Sequence, residues 1–178
     1  RIELLAQLGL QFQIAAADVD ESVGPNELAD EAGVRLARAK AEAVAARFRT
    51  GLVIAADTLV TVEGRILGKP RDVAESEAHL RQLSGRTHQV VTGVHVIDLA
   101  GQLSAYGVEV TEVDFDLLTE SEIQWYVRSG EGLDKAGSYG YQGLASPLIN
   151  GIRGCYFNVV GLPLSKLRRL LSELGHDL

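Results

Sequence analysis

Leu52-Val53-Ile54-Ala55-Ala56-Asp57 is a continuous apolar run that ends in a carboxylate, with Gly51 in front of it. Apolar residues in succession, without alternation, suit a strand buried on both faces near the centre of an α/β sheet. Directly downstream, Glu63-Gly64 marks a tight hairpin between Thr58 to Val62 and Arg65 to Leu67. Upstream, Pro25 and Asn26 introduce a long helix to about Phe48 with Asn26 as its cap, and Leu10 to Ile14 alternates like a half-buried strand. Ile2 to Leu8 carries apolar residues at helical spacing, with Gly9 as the stop. Further downstream, Asp72 is expected to cap a helix over Val73 to Leu83. Thr87 to Leu99 and Leu103 to Leu118 alternate as two antiparallel strands around Ala100-Gly101, and Thr119 with Glu122 forms a capping box for a helix to about Arg128. Ser129 to Gly154, crowded with glycine yet charged and aromatic, reads as a functional loop region. Asn158 to Val160 is expected as a short strand, and Pro163 sits near the first turn of a C-terminal helix through Leu174. Helices interleaved with hairpins predict the α/β class with a mixed sheet.

The chain of 178 residues has the usual size of one domain, and its 46% hydrophobic and 23% charged residues are those of a protein that folds. A net charge of −7, from 17 basic and 24 acidic residues, argues against a broad duplex nucleic-acid footprint but leaves room for a local cationic pocket around a small phosphorylated ligand. Nothing approaches a membrane-spanning length of apolar residues and no secretory signal is visible, so no membrane partner and a cytoplasmic location are expected. Cys155 is the single cysteine and reads as a small packed residue. His79, His88, His95 and His176 lack metal-ligand spacing and suit packing or surface roles. Neither a Gly-x-Ser-x-Gly elbow nor a Gly-x-Gly-x-x-Gly loop after the first strand is present, which argues against a serine hydrolase and a nicotinamide-dependent oxidoreductase.

Asp57, directly after the apolar run, is placed at the strand's carboxyl end, the usual ligand edge of an α/β sheet; the position equally suits a turn aspartate. Lys69 stands on a Gly-Lys-Pro turn that keeps its backbone extended, and the hairpin offers a route back toward Asp57. Lys40 belongs to a cationic row, Arg35, Arg38 and Lys40, that serves either phosphate binding or solvation, and Glu21 of the acidic loop Asp18 to Ser22 is either a metal ligand or a solvated acid. In Asp134-Lys135-Ala136-Gly137-Ser138-Tyr139-Gly140-Tyr141-Gln142-Gly143 the glycines permit close backbone approach, Asp134 and Lys135 supply charge, and Gln142 offers an amide able to read a base edge.

Ala55-Ala56-Asp57-Thr58-Leu59-Val60, Leu67-Gly68-Lys69-Pro70-Arg71-Asp72, Leu83-Ser84-Gly85-Arg86-Thr87-His88-Gln89-Val90, the Asp134 to Gly143 cluster and Asn158-Val159-Val160-Gly161-Leu162-Pro163-Leu164 occur in this order, and together they resemble the Maf family over essentially the whole chain. The Asp-Lys-Ala-Gly-x-Tyr-Gly-x-Gln-Gly loop is similar to that of the branch acting on dTTP and UTP. The resemblance implies a nucleoside triphosphate pyrophosphatase with an inosine-triphosphatase-like α/β fold, two lobes around a mixed, strongly twisted sheet with a cleft between them, often a homodimer. It implies hydrolysis between the α- and β-phosphates with a divalent cation, Mg²⁺ or Mn²⁺. By the same resemblance Asp57 matches the catalytic acid, Glu21 the acidic-loop glutamate, Lys40 and Lys69 phosphate-contacting lysines, and Gln142 the loop amide. Asp57 and Glu21 are then the expected metal ligands, with Asp134 and Lys135 beside the substrate. Arg1 matches the last arginine of a Ser-x-Ser-Pro-Arg-Arg turn; residues 1–178 are read as one Maf-like domain without that turn and its strand. A nucleotide-binding regulator of septum formation and cell division without turnover is the alternative the resemblance allows.

Overall fold

A computed structural model describes residues 1–177, so Leu178, the last residue of the expected domain, lies outside the described residues. Helices and strands follow in the order α1 (Ile2–Gln7), α2 (Ala29–Ala45), β1 (Leu52–Val62), β2 (Arg65–Leu67), α3 (Val73–Leu83), β3 (Thr87–Asp98), β4 (Leu103–Phe115), α4 (Glu120–Arg128), β5 (Ile149–Arg153), α5 (Tyr156–Val160) and α6 (Leu164–Glu173), with single 3₁₀ turns at Glu131–Asp134, Ala136–Ser138 and Ser146–Leu148. The strands make one sheet in the order β2-β1-β3-β4-β5. The α/β class holds, with an antiparallel sheet in place of a mixed one: β1 runs against β2 with Val60 opposite Leu67, β4 runs against β5 with Val113 opposite Ile152, and the Leu99 N–H donates to Gly51 O, setting the end of β3 against the start of β1. Consecutive strands joined by short turns pair antiparallel, whereas helix α3 carries the chain from β2 to β3, which lies on the other side of β1 and runs in the same direction as β2.

Local signals in the sequence are obeyed closely. Glu63 (φ 51°) and Gly64 (φ 76°) are both left-handed, as the tight hairpin demands. Asp72 caps α3 by accepting the Glu75 N–H at 2.8 Å, and Thr119 caps α4 in a complete capping box with Glu122.

Four further expectations fail. Leu10 to Ile14 forms no strand; Phe12 and Ile14 are 39% and 71% exposed, and alternation without a neighbouring ladder is not enough. Helix α2 begins at Ala29 with Leu28 at its cap, not Asn26, because Glu27 accepts the Gly24 N–H at 3.0 Å and two hydrogen bonds from Arg35, closing a turn ahead of the helix. Asn158 to Val160 belongs to α5, with the Val159 N–H bonded to Cys155 O, whereas Ile149–Arg153 supplies the strand β5 inside the expected loop. Finally, β1 does not stop at Asp57: Thr58 to Val62 favour strand, no turn residue intervenes, and the strand continues to Val62.

The chain divides into two compact units. The first, residues 1–57, 92–109 and 161–178, contains α1, α2 and α6, and its buried apolar residues include Leu36, Ala37, Val94, Val96, Leu167 and Leu170. The second, residues 58–91 and 110–160, has its core at Leu80, Leu83, Val113, Ile123, Tyr126 and Tyr139. Each such full burial of a large apolar side chain contributes about 1.5–3 kcal/mol.

Candidate active site

In the first unit the decisive contact is between α2 and the sheet. A Cβ at Gly93 of β3 would stand 2.1 Å from Gly33 O, and one at Gly33 would stand 3.2 Å from the Gly93 nitrogen. Two glycines therefore let the helix backbone press directly onto the strand. Lys40 lies seven residues, two helical turns, beyond Gly33 and so on the same face. That places its ammonium over Asp57: Lys40 Nζ donates to Asp57 Oδ1 at 2.5 Å and pairs with Glu21 Oε1 at 2.9 Å. The Asp57 side chain is 9% exposed, that of Lys40 17% and that of Glu21 51%, so a buried acid and an open one share a single cation. Arg1 joins this group: its Nε donates to Gly161 O at 2.8 Å, and Asp57 and Glu21 both pull its guanidinium pKa up against a larger lowering by desolvation. Arg1, Glu21, Lys40 and Asp57 are thus gathered as one cluster. Asp57 stands within β1, not at the strand's carboxyl end, with strand residues before and after it.

The second unit carries the remaining residues. Lys69 is exposed on the turn after β2, and the carbonyl of its neighbour Gly68 accepts the Gly137 N–H at 3.1 Å, which ties the glycine-rich loop to that turn. Lys135 Nζ donates to Asp134 Oδ1 at 2.7 Å and to Glu131 O at 3.0 Å. Lys135 first, and Lys69 at longer range, hold the Asp134 carboxyl below the usual carboxylate range. Gln142 is exposed and donates through Nε2 to Tyr156 Oη at 3.0 Å.

Sequence reasoning missed the residues that shape this loop. Glu131 accepts from Tyr126 Oη at 3.0 Å and from the Leu144 N–H at 2.9 Å, and a Cβ at Gly143 would fall 2.3 Å from its Oε2. Ser138, buried and left-handed at φ 64°, is held by His79 Nδ1 at 2.8 Å from its Oγ. Glu131, between Gly130 and Gly132, was a visible signal; the left-handed serine was not.

Among the described residues no group of three or more His, Cys, Asp or Glu side chains is gathered around a common point. The donor set of the first cluster nevertheless suits a hard divalent cation. Two carboxylates held on one ammonium can supply two oxygen ligands, and such cations commonly complete their shell with phosphate oxygens and water. Among the described residues no helix is long and apolar enough to cross a membrane.

Buried acid, shared lysine and glycine-rich loop stand on a chain that belongs to the Maf family: the model of that family, described as Maf-like protein, matches residues 1–174. Among curated relatives, a protein of Syntrophomonas wolfei is 46% identical over 178 residues, covering 100% of this chain and 94% of its own length, and carries the name dTTP/UTP pyrophosphatase. Proteins with that same name from Carboxydothermus hydrogenoformans (48% identical, 99% and 94% covered) and Deinococcus radiodurans (49% identical, 98% and 88% covered) are similarly close.

Proposed function

We propose that this chain is a nucleoside triphosphate pyrophosphatase that hydrolyses dTTP and UTP, and modified pyrimidine triphosphates of the same shape, to the monophosphate and pyrophosphate. The observation that carries the reading is the Asp57–Lys40–Glu21 cluster, a buried carboxylate held by a cation that is itself shared with a second, exposed acid. The names of the relatives at 46% to 49% identity support the same activity.

In this reading Asp57 and Glu21 are the residues that would hold a divalent cation, Mg²⁺ or Mn²⁺, which when bound polarises phosphoryl oxygens and offsets their charge. Asp57 orients the water that attacks the α-phosphorus and takes its proton; the bond from that phosphorus to the bridging oxygen breaks, and pyrophosphate leaves. Lys40, Lys69 and Arg1 stabilise the charge that builds on the departing group. Lys135 and Asp134 position the substrate, and Gln142 meets the base edge. The direct test is incubation with UTP and Mg²⁺ followed by assay of pyrophosphate. Release of pyrophosphate supports the enzyme; nucleotide binding without it overturns this reading in favour of a regulator without turnover.

A further inference from the structure

The amide of Gln142 is exposed, yet its partner is built into the fold. Tyr156, whose Oη accepts the Gln142 Nε2–H at 3.0 Å, packs edge-on against Tyr141 and Phe157 with ring centroids 5.5 Å apart in each case. Behind it the start of α5 is anchored. Asn158, fully buried, donates through Nδ2 to Val90 O and to Thr111 Oγ1, both at 2.9 Å, and Thr111 Oγ1 also accepts the Cys155 N–H at 3.1 Å. Gly154 (φ 134°) makes this possible, since a Cβ there would lie 2.9 Å from Thr111 Oγ1. A buried hydrogen-bond network therefore anchors the helix start that carries the tyrosine, and in the structure the tyrosine hydroxyl takes one N–H of an amide whose terminal torsion is otherwise soft.

Resting on the reading that Gln142 meets the base, we propose that Tyr156 is a positioning residue for pyrimidine recognition: its hydroxyl holds the Gln142 nitrogen so that the remaining N–H and the carbonyl oxygen are presented in one order. An N–H beside a C=O complements the imide edge of uracil and thymine, whose O4 accepts and whose N3–H donates. Cytosine carries the reverse order on that edge, an amino donor at C4 and an acceptor at N3, and matches only the amide turned over. Tyr156 acts here through Gln142 and not on the phosphates.

The test measures kcat and KM for UTP and CTP, by pyrophosphate release, in the wild type, Tyr156→Phe, Gln142→Ala and the double variant, with a melting curve for each. Tyr156→Phe keeps kcat for UTP within about twofold and its melting temperature, raises KM, and lowers the UTP-over-CTP ratio of kcat/KM by about threefold to tenfold, the worth of one hydrogen bond. In the Gln142→Ala background the same change adds nothing, because both act through one contact. An unchanged ratio, additive losses in the double variant, or an equal loss on both nucleotides with a lowered melting temperature each overturn the positioning role while leaving the pyrophosphatase reading intact. A wild type that releases no pyrophosphate from UTP overturns the pyrophosphatase reading and this one with it.

Discussion

Aspartate and asparagine are nearly equal in shape and differ by one unit of charge, which makes the substitution Asp57→Asn informative. The amide of that variant would still present an oxygen to Lys40 Nζ, and Glu21 would still balance that ammonium, so the fold of the cluster survives. What disappears is an anionic oxygen able to take a proton from water. Asp57→Asn is expected to lower pyrophosphate release by about a hundredfold or more, the usual contribution of a positioned base, while titration calorimetry still detects UTP binding. Turnover near the wild-type level would remove Asp57 from the mechanism. The residue itself was legible in the sequence, since a carboxylate closing an apolar run stands out. Its company was only half legible. From spacing alone Lys40 and Glu21 suited solvation as well as binding, and only the family resemblance singled them out; the Gly33–Gly93 approach is what sets the helix face of Lys40 onto the sheet.

At the scale of elements that approach is the hinge of the cluster. Gly93→Ala would drive a methyl group into the backbone of α2, which has no flexible end to yield, so helix and strand must part. The expected cost is about 1–3 kcal/mol in denaturant unfolding, with a fall in activity as Lys40 drifts from Asp57; an unchanged unfolding midpoint would show that the helix seats itself without close contact. Elements marked by chemistry within a few residues were readable: Asp72 and Thr119 cap α3 and α4, and Glu63-Gly64 turns the hairpin. Elements decided by distant partners were not. Ile149–Arg153 becomes a strand because β4 offers its edge, and Asn158 enters a helix because Val90 and Thr111 reward its amide there. Leu10 to Ile14, with a strand pattern and no ladder, shows the converse.

For the molecule as a whole, acidity and burial set the response to pH. His88 is 1% exposed, its Nε2 lies 2.7 Å from Tyr139 Oη, and burial pushes its pKa down from 6.5 to about 4 against a weaker upward pull from Asp114. The unfolded chain therefore binds a proton here that the folded chain refuses, so stability is full above about pH 6.5 and falls as the pH drops toward 4, by on the order of 3 kcal/mol in all. Denaturation midpoints between pH 7 and 4 should show this slope, and His88→Gln should flatten it; an equal slope in that variant would assign the effect to other groups. The two acids of the first cluster differ in another way. Asp57 is rooted in an unbroken strand, while Glu21 hangs from a stretch, residues 10–24, that forms neither helix nor strand. One acid is carried by regular strand and the other by irregular backbone, so substitutions within residues 10–24 can shift Glu21 while the backbone that carries Asp57 stays in its strand.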